Sequence, residues 1–376
     1  MAMYNVLHVM PGADAGGIST VVLNYYKVID RNKIHFDVAV TTDMIGQNAV
    51  EMEKLGVRIY KLPLKSKGIK AFETAMVDLL NRENYQAIHV HENETSYVAL
   101  RIAKKVGIPQ RIAHSHTSSP CVSIKSEIRR LSGCVLNYYY ATNVVGCGWL
   151  AGERVFGKIN MRRKKACVLP NAIDTNKFYF SEQIRNKIRH ELNVEKKYVI
   201  GMVGRLSEQK NYMKAIEIME MYHKSNPKAV LLCAGNGELE QDIRNMIANK
   251  QMSNYVRLLG RRSDVEQLYS AFDVLLMPSK YEGFPVAAVE AISEGLPVLL
   301  SNTITGELEA CANVYYLPLT DINAWMDKLA YIEKLGKYDR SIGKDELRKN
   351  GLDIEIAAKQ LEDIYLKFGE QHDSDK

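Results

Sequence analysis

Residues 199–222 read VIGMVGRLSEQKNYMKAIEIMEMY. Val199–Val203 is a short, continuously apolar run, as expected of a parallel strand buried on both faces. Gly204 ends it, a polar loop follows, and Met213–Tyr222 carries a helix-like apolar pattern. Strand, glycine loop and helix form the repeating unit of a doubly wound α/β sheet. In such sheets ligands meet the loops at the carboxyl ends of the strands.

The same unit recurs on both sides. Upstream, strands are expected at Asn5–Met10, Phe36–Thr41, Arg58–Leu62, Ala87–His91, Arg111–Ser115, Val144–Cys147 and Cys167–Leu169. Downstream they are expected at Ala229–Ala234, Val256–Leu259, Val274–Met277, Val298–Leu300 and Tyr315–Leu317. Helix-like stretches lie between them, among them Gly17–Val28, Ser96–Val106, Leu239–Asn249, Pro285–Glu294 and Ile322–Leu335. So many parallel strands exceed one comfortable open sheet. The polar segment 172–197 offers a division, and the charge changes sign near it. Residues 1–171 hold 23 Lys and Arg against 13 Asp and Glu, and residues 172–376 hold 27 against 31. The expected fold is α/β: two Rossmann-like doubly wound domains, 1–175 and 176–353, facing a central cleft.

Composition narrows the function. Gly and Pro number 24 and 10 in 376 residues, too few for a collagen-like or low-complexity chain. No apolar run approaches the ~20 residues of a membrane span, and the start, MAMYNVLHVMPG, lacks the basic region of a secretory signal. Six scattered cysteines without a CxxC pair point to a reducing cytoplasm. The basic first half holds two dense spots, Lys125/Arg129/Arg130 and Lys158/Arg162/Arg163/Lys164/Lys165. A basic surface suits anionic lipid or a phosphorylated ligand. Nucleic acid is not expected, since no recognised RNA- or DNA-binding motif accompanies the charge.

Four constellations carry candidate chemistry. In Pro11–Ser19, Gly16 and Gly17 lie where a strand passes into a helix N-terminus, a place that favours an anion. His89/His91 and His114/His116 form two H-x-H pairs near strand ends, and His116, last on its strand, is the favoured contact to substrate. No metal is expected on them. After Val203, Gly204 allows close backbone approach, and Arg205 with Lys210 can neutralise a pyrophosphate. In SKYEGFPVAAVE (279–290), Glu282 lies in a loop, Pro285 suits the first helical position, and Val286 and Ala287 offer free amides. Glu290, among apolar neighbours, is costly to bury unless vicinal hydroxyls partner it.

These motifs, with VLPNAID (168–174), AGNGELE (234–240) and VRLLGRR (256–262), resemble the large retaining family-4 glycosyltransferases of the GT-B fold over nearly the whole chain. The resemblance implies a nucleotide-sugar donor, a UDP-sugar, bound mainly by the second domain. Arg205 and Lys210 would hold its diphosphate, Glu290 the ribose, and Glu282 with Gly283, Phe284 and Pro285 the sugar. Gly260 and Arg261 would approach the base, with Arg262 beside them. Gly16 and Gly17 would touch donor phosphate or acceptor, and His116 the sugar near the reacting carbon. The last helix, 354–370, resembles the family's helix that returns to the first domain. The chemistry implied is retaining, with no metal or other cofactor. The one D-x-D, Asp373–Asp375, lies in a polar tail.

No second carboxylate is identifiable across the scissile bond, so front-face attack by the acceptor is expected, with the diphosphate taking the proton. The acceptor is expected to be a saccharide, lipid-linked, in bacterial exopolysaccharide or capsule synthesis. The segment Cys121–Tyr140, with Ile124, Ile128, Leu131 and Val135 at helical spacing, suits an anionic membrane surface or, equally, packing on the core. Two alternatives differ in class: a nucleotide-sugar epimerase, which would release rearranged sugar without an acceptor, and a nucleotide-sugar-binding regulator without turnover.

Overall fold

The structure, a computed structural model, describes residues 3–14, 17–42, 45–163, 165–336 and 338–373. Gly16, Lys164, Ser374 and Asp375 lie outside them. The chain forms two units, Met1–Ala172 with Ile354–Lys376, and Ile173–Asp353.

The first unit holds seven strands: β1 (Tyr4–Met10), β2 (Ile34–Val40), β3 (Ile59–Lys61), β4 (Ala87–Val90), β5 (Gln110–Ser115), β6 (Asn143–Gly146) and β7 (Ala166–Val168). They form one parallel sheet in the order β3-β2-β1-β4-β5-β6-β7. The order reverses at the β1–β4 boundary, where ligands of such sheets collect. Register there sets His8 beside His89. The helix Ile354–Asp373 belongs to this unit. Its Ile354, Ala357, Ala358, Leu361 and Tyr365 recur at helical spacing and enter the core formed with Val6, Phe36 and Val38.

The second unit holds β8 (Tyr198–Val203), β9 (Ala229–Ala234), β10 (Val256–Gly260), β11 (Val274–Met277), β12 (Val298–Ser301) and β13 (Val314–Leu317). All are parallel, in the order β10-β9-β8-β11-β12-β13. The near-continuous burial of β8, β9, β11 and β12 is the cause of their apolar runs. The polar segment 172–197 is not a loose connection. Ser181 caps a helix, Glu182–Glu191, by accepting from the Ile184 amide at 3.4 Å. Arg185 and Arg189 of that helix each reach Asp273 at 2.5 Å.

One helix of the first unit keeps its apolar residues outside. Ile124–Tyr140 starts on a Ser123–Ser126 capping box. Its Ile124, Ile128, Leu131 and Val135 are 82%, 60%, 52% and 66% exposed. Lys165, expected on a basic surface, instead donates to the Ala141 carbonyl at 3.2 Å and to that of Tyr138, and sits over the Tyr138 ring. Half-buried, its ammonium is engaged by these groups and not simply solvated.

Candidate active site

In the second unit the loops after β8, β9 and β11 meet at adjacent strand ends. Gly204 adopts φ +149°, and a Cβ on Gly235 would overlap the Gly204 carbonyl, so the first two loops are in backbone contact. The Tyr212 hydroxyl donates to the same carbonyl at 2.8 Å. Asn211, itself left-handed at φ 58°, donates to the Pro278 carbonyl at 3.0 Å, and the Lys280 amide donates to the Gln209 carbonyl at 2.8 Å. These bonds hold the β8 and β11 loops together.

Between those loops lies a charged cluster. Lys210 Nζ is 2.7 Å from Glu282 Oε1, and Gln209 Nε2 donates to Glu282 Oε2 at 3.0 Å. Glu282 is 4% exposed. Gly283, Phe284 and Pro285 are buried beyond it. Arg205 is exposed and pairs with Glu238 at 3.0 Å. An exposed pair of that kind is worth only ~0–1 kcal/mol, so Arg205 can turn to a ligand at little cost.

The helix after β11 runs Val286–Ser293 with Pro285 at its N-cap, one place before the position expected. A second expectation is corrected with it. The Val286 amide is not free, because it donates to the Phe284 carbonyl at 3.0 Å across a tight turn. Ala287 remains in the first turn as a candidate donor. One turn on, Glu290 Oε2 accepts from the Tyr269 hydroxyl at 2.7 Å. Burial pushes the Glu290 carboxyl up to about 7, against the opposing pull of the Tyr269 bond and of Lys177 and Lys210. Gly260 ends β10 at φ +68°, and its carbonyl accepts from the Gly235 amide at 2.8 Å. Arg261 is exposed, whereas Arg262 is committed to Asp264 at 2.7 Å and Glu191 at 3.0 Å.

In the first unit, Gly17 opens the helix Gly17–Val28, and a Cβ there would meet nothing among the described residues within 4 Å. His116 follows β5, half-buried, and its amide donates to Asn93 Oδ1 at 2.9 Å. His91 Nδ1 lies 2.8 Å from His116 Nε2. Burial lowers the His116 pKa to about 3. The ring nitrogens of His8, His89 and His91, and those of His91, His114 and His116, lie within 4.8 Å of one another, a spacing open to a metal. Hydrogen bonds join His8 to His91, His91 to His116 and His89 to His114.

Sequence reasoning missed Gln209, Asn211 and Tyr269, and in the first unit His8, Asn93 and Tyr365. A signal existed for His8, a lone histidine inside the apolar run NVLHVM.

Residues 183–348 match the family described as Glycosyl transferases group 1. The Bacillus subtilis (strain 168) protein EpsF, named as a glycosyltransferase, is 30% identical over 368 residues, 96% of this chain and 96% of its own length. The Escherichia coli UDP-Gal:alpha-D-GlcNAc-diphosphoundecaprenol alpha-1,3-galactosyltransferase is 27% identical over 307 residues, 78% of each chain. The crystal structure of Anabaena Alr3699/HepE in complex with UDP matches with a TM-score of 0.80 at 19% identity, over 96% of this chain and 99% of that one. The fold is thus the two-sheet GT-B fold, as expected. With the EpsF match spanning both units, the chain belongs to the glycosyl transferases group 1 family and is a glycosyltransferase.

Proposed function

We propose that the protein moves a hexosyl group from a UDP-sugar to a lipid-linked saccharide, with retention of configuration and without a metal ion, in bacterial surface polysaccharide synthesis. The observation that carries this reading is the Lys210–Glu282–Gln209 cluster at the carboxyl ends of β8 and β11, with Glu290 one element further on. Lys210 and Arg205 balance the diphosphate charge. Glu290 accepts from the ribose hydroxyls, and Glu282 with Gly283–Pro285 holds the sugar. Gly260 and Arg261 lie toward the base, Gly17 toward phosphate or acceptor, and His116 acts on the sugar near the reacting carbon. Charge on the departing diphosphate is met by fixed cations and helix amides, the preorganised electrostatics that such a step requires.

The exposed apolar face of Ile124–Tyr140 supports a second element of the proposal, docking on the inner face of an anionic membrane. No helix among the described residues is long and apolar enough to cross a membrane. The E. coli relative's name includes a diphosphoundecaprenol-linked acceptor, in keeping with that setting.

The test is product analysis with UDP-sugars, with and without a polyprenyl-diphosphate-linked saccharide. Acceptor-dependent UDP release with an α-linked product from an α-linked donor is expected. Rearranged sugar formed without acceptor would favour an epimerase, and binding without turnover a regulator. His116→Ala is expected to cost on the order of 10²–10³ in turnover with little loss of UDP affinity, and more than His114→Ala.

A further inference from the structure

Five histidines of the first unit and one tyrosine form a single line of hydrogen bonds. From the buried end, His114 Nδ1 lies 3.1 Å from His89 Nε2, and His89 Nδ1 lies 2.7 Å from the Tyr365 hydroxyl. That hydroxyl is 3.4 Å from His8 Nε2, the longest link. His8 Nδ1 is 2.9 Å from His91 Nε2, and His91 Nδ1 is 2.8 Å from His116 Nε2. The residues come from β1, from β4 and β5 with the positions just past them, and from the helix Ile354–Asp373.

A neutral imidazole has one nitrogen that donates and one that accepts. Each link needs one hydrogen and one lone pair, so a ring that accepts on one side must donate on the other. A tyrosine hydroxyl could accept from both rings, but the buried hydrogen of Tyr365 would then have no acceptor among the described residues, so it too accepts from one ring and donates to the other. The line therefore has two self-consistent states, with every hydrogen directed toward His116 or every one toward His114. An imidazolium would donate from both nitrogens and break the pattern. Burial excludes that form by lowering all five pKa values, to about 3 for His8 and His116 and well below the ordinary value for His89, His91 and His114.

The two ends differ. His114 Nε2 is buried and has no partner among the described residues. With hydrogens directed toward His116, that nitrogen keeps only a lone pair. In the opposite state it carries an orphaned N–H, the rarer kind of buried unpaired group. At the other end, His116 Nδ1 makes no hydrogen bond within the described residues, and its residue is half-buried.

We propose that this line fixes His116 as the Nδ1–H tautomer, so that it presents a donor and not an acceptor, with the Tyr365 hydroxyl as the joint between the two inner and three outer rings. His8, His89, His91 and Tyr365 are positioning residues. On the reading that His116 meets the transferred sugar, the donor is aimed at a sugar oxygen.

The test is ¹⁵N NMR of the ligand-free protein, whose ring-nitrogen shifts report which nitrogen bears hydrogen. His116→Gln assigns the His116 signals. All five rings are expected as Nδ1–H. Tyr365→Phe removes one oxygen from the line, and His116 is then expected to populate both tautomers. Tyr4→Phe is the control, since Tyr4 packs 6.2 Å from the Tyr365 ring but bonds to Gln110, off the line. It should leave His116 unchanged. Rings carrying different tautomers, a common Nε2–H set, or a His116 tautomer indifferent to Tyr365→Phe would overturn the proposal. With UDP-sugar and acceptor, Tyr365→Phe is expected to lower turnover about tenfold at unchanged UDP affinity, the low end of what losing the orienting partner of a metal-bound imidazole costs. An intact tautomer signature in a protein without transfer activity would refute the function and leave the line standing.

Discussion

Lys210 and Glu282 face each other at 2.7 Å with side chains only 17% and 6% exposed, joined across the loops that follow β8 and β11. The cation assigned to the donor diphosphate is held, before any ligand arrives, by the carboxylate assigned to the sugar. On the proposed function, Lys210 would serve two anions once a diphosphate binds, aligning the two ligand parts with one another.

Breaking this pair from one side is expected to be costly. Lys210→Met leaves the enclosed Glu282 without its cation, and loss of one partner of a buried pair costs about 3–5 kcal/mol. The double variant Lys210→Met/Glu282→Gln should recover most of that stability and none of the turnover. Urea unfolding of the three proteins decides it. A double variant no more stable than the single would show that the pair is not the cause.

Glu290 is raised to about 7 by burial, above the ~4.3 of a free glutamate. A raised carboxyl withdraws stability as pH climbs from the unfolded value through 7. Glu290→Gln is therefore expected to stabilise the ligand-free protein at pH 8 and to change little at pH 4.5. It should also weaken UDP binding by roughly 1.5–3 kcal/mol, the worth of a hydrogen bond to a charged group. In the native protein UDP affinity should rise between pH 6 and 8 as the carboxylate forms. Calorimetry at the two pH values checks both signs.

The histidine line has the opposite pH dependence. Five rings neutral in the fold take up protons when unfolded below their ordinary value near 6.5, so stability is present above 6.5 and falls as pH drops toward 3. Each ring contributes a slope of up to ~1.4 kcal/mol per pH unit. Glu290 and Glu294, the latter raised to about 8, offset part of this below 6.5. A steep loss of the urea midpoint between pH 6.5 and 5 is expected. A flat profile would mean that the rings are not buried neutral.

Transfer is expected to continue in excess EDTA, since Lys210 and Arg205 supply the cationic charge. Activity lost to chelation and restored by magnesium or manganese would count against that assignment and turn attention to the two histidine groups.

Binding to vesicles is expected to need anionic lipid and to weaken with salt, because exposed charges are screened beyond ~8 Å at physiological ionic strength. Ile128→Ser/Leu131→Ser/Val135→Ser should abolish it while leaving thermal stability within a degree or two, since these side chains are 52–66% exposed. Co-sedimentation with and without phosphatidylserine measures the effect.

The thirteen strands among the described residues were legible because each is a short apolar-rich parallel run, most of them buried, and their ends fell within about two residues of the expected ones. The loops that follow them were legible for the same reason. What the chain hid depends on partners distant in sequence. Glu182–Glu191 reads as a polar segment because the residue that organises it, Asp273, lies more than eighty positions away. Lys165 looks like one more surface cation until the carbonyls of Tyr138 and Ala141 engage it. The two H-x-H pairs stood out, but the link between His89 and His8 runs through Tyr365, on the far side of the chain's other unit in sequence. Alternation along a strand cannot reveal such a link. For Ile124–Tyr140 the spacing gave the apolar face but not whether anything covers it.

The return of Ile354–Asp373 to the first unit has a consequence for synthesis. The second unit is continuous in sequence and can close as soon as it leaves the ribosome. The first unit, made earlier, waits until Tyr365 is added. At ~5–20 residues per second the interval from Ala172 is roughly 10–40 s. During it the groove that receives Ile354, Ala357, Ala358, Leu361 and Tyr365 stands open. The half of the protein translated first is thus the half completed last, and for that interval it is the part a chaperone would find.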